Sequence, residues 1–175
     1  SRGFHLLYFD TPSAAAPELR HAQRCFEAAG DRAGQILAAT GLARALWRAG
    51  RFREALESAL SLRDEGLQVL GRDERGLLLN TIAGCYSAQG ESELAFAYFY
   101  QALRGAGPAH ARGFDAVLHC NLAHELLQLG DCTEALRHVD QGIARCAELN
   151  NVRLLSVLLI NRVICLTDLG RPHDA

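Results

Sequence analysis

The stretch Gly50-Arg-Phe-Arg-Glu-Ala-Leu56 recurs along the chain at a constant interval of 40 residues. Related stretches begin at Gly90, Gly130 and Gly170, and an alanine stands five residues after every one of the four glycines: Ala55, Ala95, Ala135 and Ala175. Glycine tolerates the left-handed backbone that ends a helix, and alanine lets the next helix pack closely. The constant interval therefore predicts a stack of repeated helical hairpins.

The repeat also predicts where the helices begin and end. Each repeat contains a first helix, here called helix A, and a second helix, helix B, which follows the glycine. We expect A helices at residues 31–49, 72–89, 108–129 and 152–169, and B helices at 52–70, 92–104 and 133–149. One further helix is predicted from Pro17 to Ala29, because proline is favoured in the first turn of a helix.

These helices predict an all-α fold that forms a single solenoid domain. Its parts are a partial repeat at 1–30, complete repeats at 31–71, 72–107 and 108–150, and the start of a fourth repeat at 151–175. Because the chain begins without methionine and stops within a repeat, we expect it to be a fragment of a longer protein. The fourth helix A would then lack a complete partner, and we expect self-association through this exposed C-terminal end.

The composition is that of a protein without a membrane segment. Apolar residues make up 49% of the 175 residues, and the net charge is −2. No apolar run reaches the roughly 18 residues that a membrane span needs. No charged-then-apolar stretch precedes a cleavage site, so we do not expect secretion. All 18 basic residues are arginine, a bias typical of GC-rich bacterial genomes. The six cysteines form no CxxC pair, which favours a reducing cytoplasm over a disulfide framework.

The repeated columns resemble those of the tetratricopeptide repeat over nearly the whole chain. When Gly50 is counted as position fifteen, the small residues of position eight are Ala43, Ala83, Ala123 and Val163. The large residues of position eleven are Leu46, Tyr86, Leu126 and Leu166. The period is 40 residues instead of 34, and no tryptophan stands at position four. The longer period is similar to that of repeats in bacterial regulator and sensor domains. The resemblance implies a right-handed superhelix of antiparallel helix pairs, with a concave face that binds a peptide or protein.

The concave face predicts a set of candidate binding residues. Apolar positions 39, 42, 43 and 46 would form the packed side of the first helix A, so the opposite side would line the groove. In the successive repeats, the groove would contain Arg44, Trp47, Arg48, Asn80, Thr81, Asn121, His124, Gln128 and Asn161. Amide groups can bind an extended peptide backbone, and Arg44 with Arg48 could hold a carboxylate. The alternatives are that these residues are only solvated surface, and that Trp47 packs on a neighbouring repeat.

Catalytic and metal-binding motifs are missing from the sequence. It contains no GxSxG, HExxH or GxxxxGK[ST] pattern, so we expect no enzymatic activity and no catalytic residues in this segment. His119, Cys120 and His124 are close in sequence, but a structural zinc site needs four ligands. We therefore expect no metal and no cofactor, and we interpret His119 as a hydrogen-bonded core histidine. Nucleic acid is a poor fit, because the chain has no basic stripe.

Two functions remain open from the sequence. The first is a cytoplasmic scaffold for a protein or peptide, which serves as the sensory or regulatory part of a larger bacterial signalling protein. The alternative is a switch gated by a small molecule or signal peptide, which controls an attached diguanylate cyclase, kinase or DNA-binding domain. Both follow from the family resemblance.

Overall fold

The structure, a computed structural model, describes residues 12–105 and 113–174. Over these ranges the chain forms helices and turns without a β-strand, which confirms the all-α prediction. The helices are α1 (Pro12–Ala28), α2 (Arg32–Arg48), α3 (Phe52–Val69), α4 (Arg72–Ser87), α5 (Ser92–Gly105), α6 (Phe114–Gln128), α7 (Cys132–Leu149) and α8 (Val152–Asp168). A short 3-10 turn follows at Pro172–Asp174. Residues 1–11 of the predicted partial repeat and the terminal Ala175 lie outside the described residues.

The helices fall into two compact units, Ser1–Glu91 and Ser92–Ala175. In the first unit, α1 packs on α2, α2 on α3 and α3 on α4, and α2 also contacts α4. The second unit has the same pattern: α5 to α8 pack in succession, and α6 also contacts α8. Each unit thus holds two A helices, which contact each other, and two B helices. The repeat boundaries predicted within these units stay a prediction.

The repeated glycines end the A helices as predicted. Gly50 and Gly130 have φ values of 78° and 79°, in the left-handed region that side chains disfavour. The amide that follows each glycine turns back to the helix: Arg51 N donates to Leu46 O at 3.0 Å, and Asp131 N donates to Leu126 O at 2.9 Å. This bond caps carbonyls that the helix end would otherwise leave unpaired. The acceptors, Leu46 and Leu126, are the large residues at position eleven of the repeat. This position therefore supplies both a side chain for packing and a carbonyl for the helix cap.

The alanines of the repeat lie at the closest helix contacts. Ala55, Ala95 and Ala135 are 0% exposed, and Ala15 has the same place in α1. In the second unit, Ala135 forms a core with Ala123, Leu126, Val139 and Cys165. A larger side chain in this column would have no space. The predicted role of the column is confirmed wherever the structure describes it.

Two predicted helix starts are wrong. Helix α1 already includes Pro12, so Pro17 lies inside it and does not begin it. A proline costs one backbone hydrogen bond there, whereas burial of Ala15 and Leu19 against Ala45 stabilises the helix as a whole. Helix α6 begins at Phe114 because Gly113 before it takes a φ of 68°. The predicted helix therefore does not extend unbroken to 129 from position 108, which itself lies outside the described residues.

No helix within the described ranges is both long enough and apolar enough to cross a membrane.

Candidate peptide-binding faces

Trp47 in α2 is held by contacts within the first unit. The Arg44 guanidinium carbon lies 5.7 Å from the centre of the indole ring. On α4, Gly84 leaves room for the ring: a Cβ atom at Gly84 would stand 3.0 Å from Trp47 Cζ2. The indole therefore packs against the backbone of α4, while Arg44 covers it with a cation–π contact. Of the two interpretations of Trp47, packing on the neighbouring repeat is confirmed.

Several residues predicted to line the groove are buried. Arg44 is 6% exposed, Asn80 is 3% exposed, and Thr81 is 0% exposed. The Thr81 hydroxyl donates to Leu77 O at 2.8 Å, within its own helix. The prediction that Thr81 lies on an exposed face is wrong. The cause is that α2 and α4 contact each other as well as the B helices, so a single packed side does not describe an A helix.

Arg48 is the exposed member of the predicted set in the first unit. It lies in the last turn of α2, one turn after Arg44. A cation near the C-terminal end of a helix interacts favourably with the helix dipole. Arg48 therefore presents a positive charge to solvent next to the Arg44–Trp47 contact.

In the second unit, the predicted residues keep more of their polar surface. His124 and Gln128 on α6 are exposed, and Asn121 on the same helix is half-buried. Asn161 on α8 is half-buried as well, and its amide nitrogen lies 3.9 Å from Cys120 Sγ. Because 121, 124 and 128 are three or four residues apart, they share one side of α6. The structure thus brings Asn121, His124 and Gln128 together on one helix face.

Glu125 was missed by the sequence analysis. Glu125 is 1% exposed. Within the described part of the chain, its Oε2 atom is buried without a hydrogen-bond partner. The equivalent positions in the other repeats hold Ala45, Cys85 and Cys165, all small and all buried. A lone carboxylate in an apolar repeat column is the signal that could have revealed it. Burying such a group without a partner is costly, so Glu125 marks a point where this repeat departs from the others.

The residues considered for a metal site have separate environments. His119 Nδ1 lies 2.9 Å from His138 Nδ1, whereas His124 is exposed. Across residues 12–105 and 113–174, no three histidine, cysteine or acidic side chains cluster in a way that could hold a metal ion. Burial raises the pKa of the Cys120 thiol to about 11 and that of the Cys85 thiol to about 12. These cysteines are small core residues, and His119 is a hydrogen-bonded histidine, as the sequence predicts.

Comparison with known families agrees with this arrangement. Residues 36–60 and 116–141 match the tetratricopeptide repeat family. Each match begins within a helix A, passes its glycine and ends within the following helix B. These two segments are tetratricopeptide repeats. The family prediction is confirmed, whereas assignment to a longer-repeat branch remains a prediction.

Solved structures show the same fold at low sequence identity. A kinesin light chain from Podosopora anserina with nearly identical TPR-like repeats superposes with a TM-score of 0.68 and 15% identity, over 98% of this chain and 85% of that one. BtubC from P. vanneervenii has a TM-score of 0.70 and 17% identity, over 94% and 68% of the two chains. PlcR from Bacillus thuringiensis, in complex with the peptide PapR7 and DNA, has a TM-score of 0.75 and 17% identity, over 99% and 62%.

No curated protein sequence matches this chain significantly. The likeness to solved structures therefore shows its fold and leaves its ligand to be argued from its own residues.

Proposed function

We propose that this tetratricopeptide-repeat chain binds a peptide or protein segment, and that it has a regulatory and non-catalytic role. The observation that carries the proposal is the polar face of α6. His124 and Gln128 are exposed there beside the half-buried Asn121, although the same helix buries Leu118, Leu122 and Leu126. A repeat scaffold presents its ligand-binding side chains on rigid helices in this way.

The chemistry of the α6 face suits an extended peptide backbone. Each side-chain amide offers two donors and one acceptor, which match the peptide C=O and N–H groups. Asn161 supplies the same chemistry from α8, which packs against α6. We therefore assign Asn121, His124, Gln128 and Asn161 to peptide binding in the second unit.

The first unit offers a different contact. Arg48 is exposed, and Arg44, Trp47 and Asn80 lie behind it in the packed region of α2 and α4. A guanidinium can bind a carboxylate through two parallel hydrogen bonds. We assign Arg48 to an acidic group of the ligand, with Arg44 and Trp47 as the support that positions it.

The wider setting of the proposal is a cytoplasmic bacterial signalling protein. PlcR, whose fold this chain shares, is seen with a bound peptide and DNA. Nucleic acid suits the present chain less well, because its net charge is −2 and its arginines are balanced by 20 acidic residues. All six cysteines are free thiols, as in a reducing compartment. An attached output domain, such as a diguanylate cyclase or kinase, would make peptide binding a signal.

The experiment uses fluorescein-labelled peptides of extended, acidic sequence, with binding followed by fluorescence anisotropy. Arg48→Ala is expected to weaken binding by about tenfold, since a hydrogen bond to a charged group contributes about 1.5–3 kcal/mol. Arg53→Ala removes an exposed arginine from α3 instead and is the matched control. Equal affinities for Arg48→Ala and Arg53→Ala would exclude the first-unit face. Unchanged affinity in Asn121→Ala/Gln128→Ala would exclude the second.

We also propose self-association through α8. The helix exposes an apolar row that is typical of an interface, comprising Val152, Val157, Leu159, Ile160, Val163 and Ile164. Val163 is 50% exposed, whereas the equivalent Ala43, Ala83 and Ala123 are 0% exposed. A second copy could cover this row. Light scattering at rising concentration should show dimers that Val163→Glu/Ile160→Glu abolishes, and a strict monomer at all concentrations would reject the proposal.

A further inference from the structure

Two histidines from neighbouring helices form a direct hydrogen bond inside the second unit. His119 of α6 and His138 of α7 approach through their Nδ1 atoms at 2.9 Å, with ring centroids 5.2 Å apart. His138 is 1% exposed, and His119 is half-buried. A bond between two imidazoles needs one donor and one acceptor. It therefore requires a defined proton arrangement on both rings.

A third residue determines that arrangement. Arg137 Nη2 lies 3.1 Å from His138 Nε2, and a guanidinium nitrogen can only donate. His138 Nε2 must therefore carry a lone pair, which places the proton of the neutral ring on Nδ1. His138 Nδ1–H then donates to His119 Nδ1, and the neutral His119 ring carries its own proton on Nε2.

The two ring nitrogens without a proton, His119 Nδ1 and His138 Nε2, thus each already accept a hydrogen bond. A proton added to His119 Nδ1 would face the N–H of His138, and a proton added to His138 Nε2 would face the N–H of Arg137. Either addition replaces a hydrogen bond with two opposed donors. Such a replacement is costly where the ring is as buried as that of His138, which is 1% exposed.

The charged groups around the pair come from several helices. Asp115 on α6 favours a charged His119, and Arg137 on α7 opposes it. Glu134 Oε1 on α7 lies 3.7 Å from His138 Nε2 but also accepts a hydrogen bond from Arg137 Nη2. Tyr100 on α5 interacts with Arg137. On the α8 side, the apolar Leu158 lies close to Gly142, near the Cβ atom of His119.

We propose that the His119–His138 hydrogen bond is a pH-sensitive latch between α6 and α7, closed while both imidazoles are neutral and opened when either gains a proton. The latch is independent of the peptide-binding proposal. It is also specific to this repeat, because the equivalent positions hold Ala39 and Ser58 in the first unit. The α2–α3 contact is therefore an internal control in the same molecule.

The direction of the effect follows from the titration of His138. Burial, followed by the charge of Arg137, lowers its pKa from the ordinary 6.5 to about 4. The unfolded chain therefore takes up its proton first as the pH falls. The stabilising contribution is complete above pH 6.5 and is lost between about pH 6.5 and pH 4. Between pH 7.5 and pH 5, that shift corresponds to a roughly 25-fold change in the opening equilibrium.

The latch can be tested by nuclear magnetic resonance on the complete chain with ¹⁵N-labelled histidine. At pH 7.5 we expect His138 protonated on Nδ1, His119 protonated on Nε2, and a scalar coupling between the two Nδ1 nuclei. The coupling should disappear on acidification. A His138 ring protonated on Nε2 at pH 7.5, or one that titrates near pH 6.5, would overturn the proposal.

Hydrogen exchange provides the second readout. From pH 7.5 to pH 5, after correction for intrinsic rates, amides of α6 and α7 should open roughly 25-fold more often, while those of α2 and α3 change little. The double variant His119→Gln/His138→Gln should lose this difference, and His124→Gln, an exposed histidine on α6, should keep it. An equal increase in both units would contradict the latch. The nuclear magnetic resonance result stands without the variants if the double change prevents folding.

Discussion

Arg145 in α7 donates through Nε to the Asp115 carboxylate in α6 at a distance of 2.6 Å. Asp115 lies in the first turn of its helix, where a negative charge is favourable. The hydrogen bond to Asp115, followed by one to Glu148, raises the pKa of Arg145. The pair thus links the start of a helix A to the later turns of its helix B.

Replacing Asp115 with asparagine should lower the melting temperature. The side-chain shape is kept, but the charge that binds Arg145 is lost while both groups remain partly buried. Asp64→Asn is the matched control, because Asp64 is exposed and pairs only with its neighbour Arg63 among the ion pairs described. Differential scanning calorimetry should give a larger decrease for Asp115→Asn, and equal decreases would contradict the importance of the interhelical pair.

Leucine at Ala95 should destabilise the second unit. Ala95 is 0% exposed, and overpacking of this kind costs about 1–3 kcal/mol. Ala97→Leu adds the same volume to an exposed position of the same helix and should change stability little. Urea unfolding followed by circular dichroism measures both. If the two variants have the same midpoint, the assigned repeat register is wrong.

The glycine at position 130 should tolerate asparagine better than alanine. Its φ of 79° strains an alanine by about 1–2 kcal/mol, whereas asparagine adopts this region more readily. Asn150 already does so in the same unit, with a φ of 53°. The free energy of unfolding should therefore decrease in the order glycine, asparagine, alanine. An alanine variant as stable as the original chain would argue against the left-handed helix cap.

Thr81→Val should leave peptide affinity unchanged. Thr81 was predicted to line the groove, but it is buried, and its hydroxyl bonds only to Leu77 O in the structure as described. Loss of that bond should change stability by about 1 kcal/mol or less. Anisotropy titrations of this variant against the same acidic peptides provide the measurement. Weaker binding at unchanged stability would contradict this prediction and show that Thr81 contributes to the binding face.

The sequence predicted the helices well because their ends have local causes. Gly50 and Gly130 mark a backbone conformation that few other residues adopt, and the alanines that follow them need only a close helix contact. The missed starts have local reasons too: Pro17 is tolerated inside α1, and Gly113 breaks the path into α6. Such details depend on how much burial compensates a broken hydrogen bond, which a residue pattern does not reveal.

The candidate faces were harder to predict. The sequence assigned one packed side to each helix A, but α2 contacts three other helices, so Arg44 and Thr40 are buried as well. The His119–His138 bond joins two histidines, and no histidine stands at the equivalent positions of the earlier repeats. A comparison of what the repeats share therefore does not reveal it. Glu125 was overlooked for the same reason, since its column is otherwise apolar.

Because Trp47 packs at Gly84, its fluorescence also reports on unfolding of the first unit. Trp47 is the chain's single tryptophan, so excitation at the red edge of protein absorption yields emission from one defined place between α2 and α4. Circular dichroism, in contrast, sums over the helices of both units. Denaturation curves recorded by the two methods on one sample would coincide if the units unfold together and separate if they do not. The protein therefore carries its own optical reporter of cooperativity, without any label.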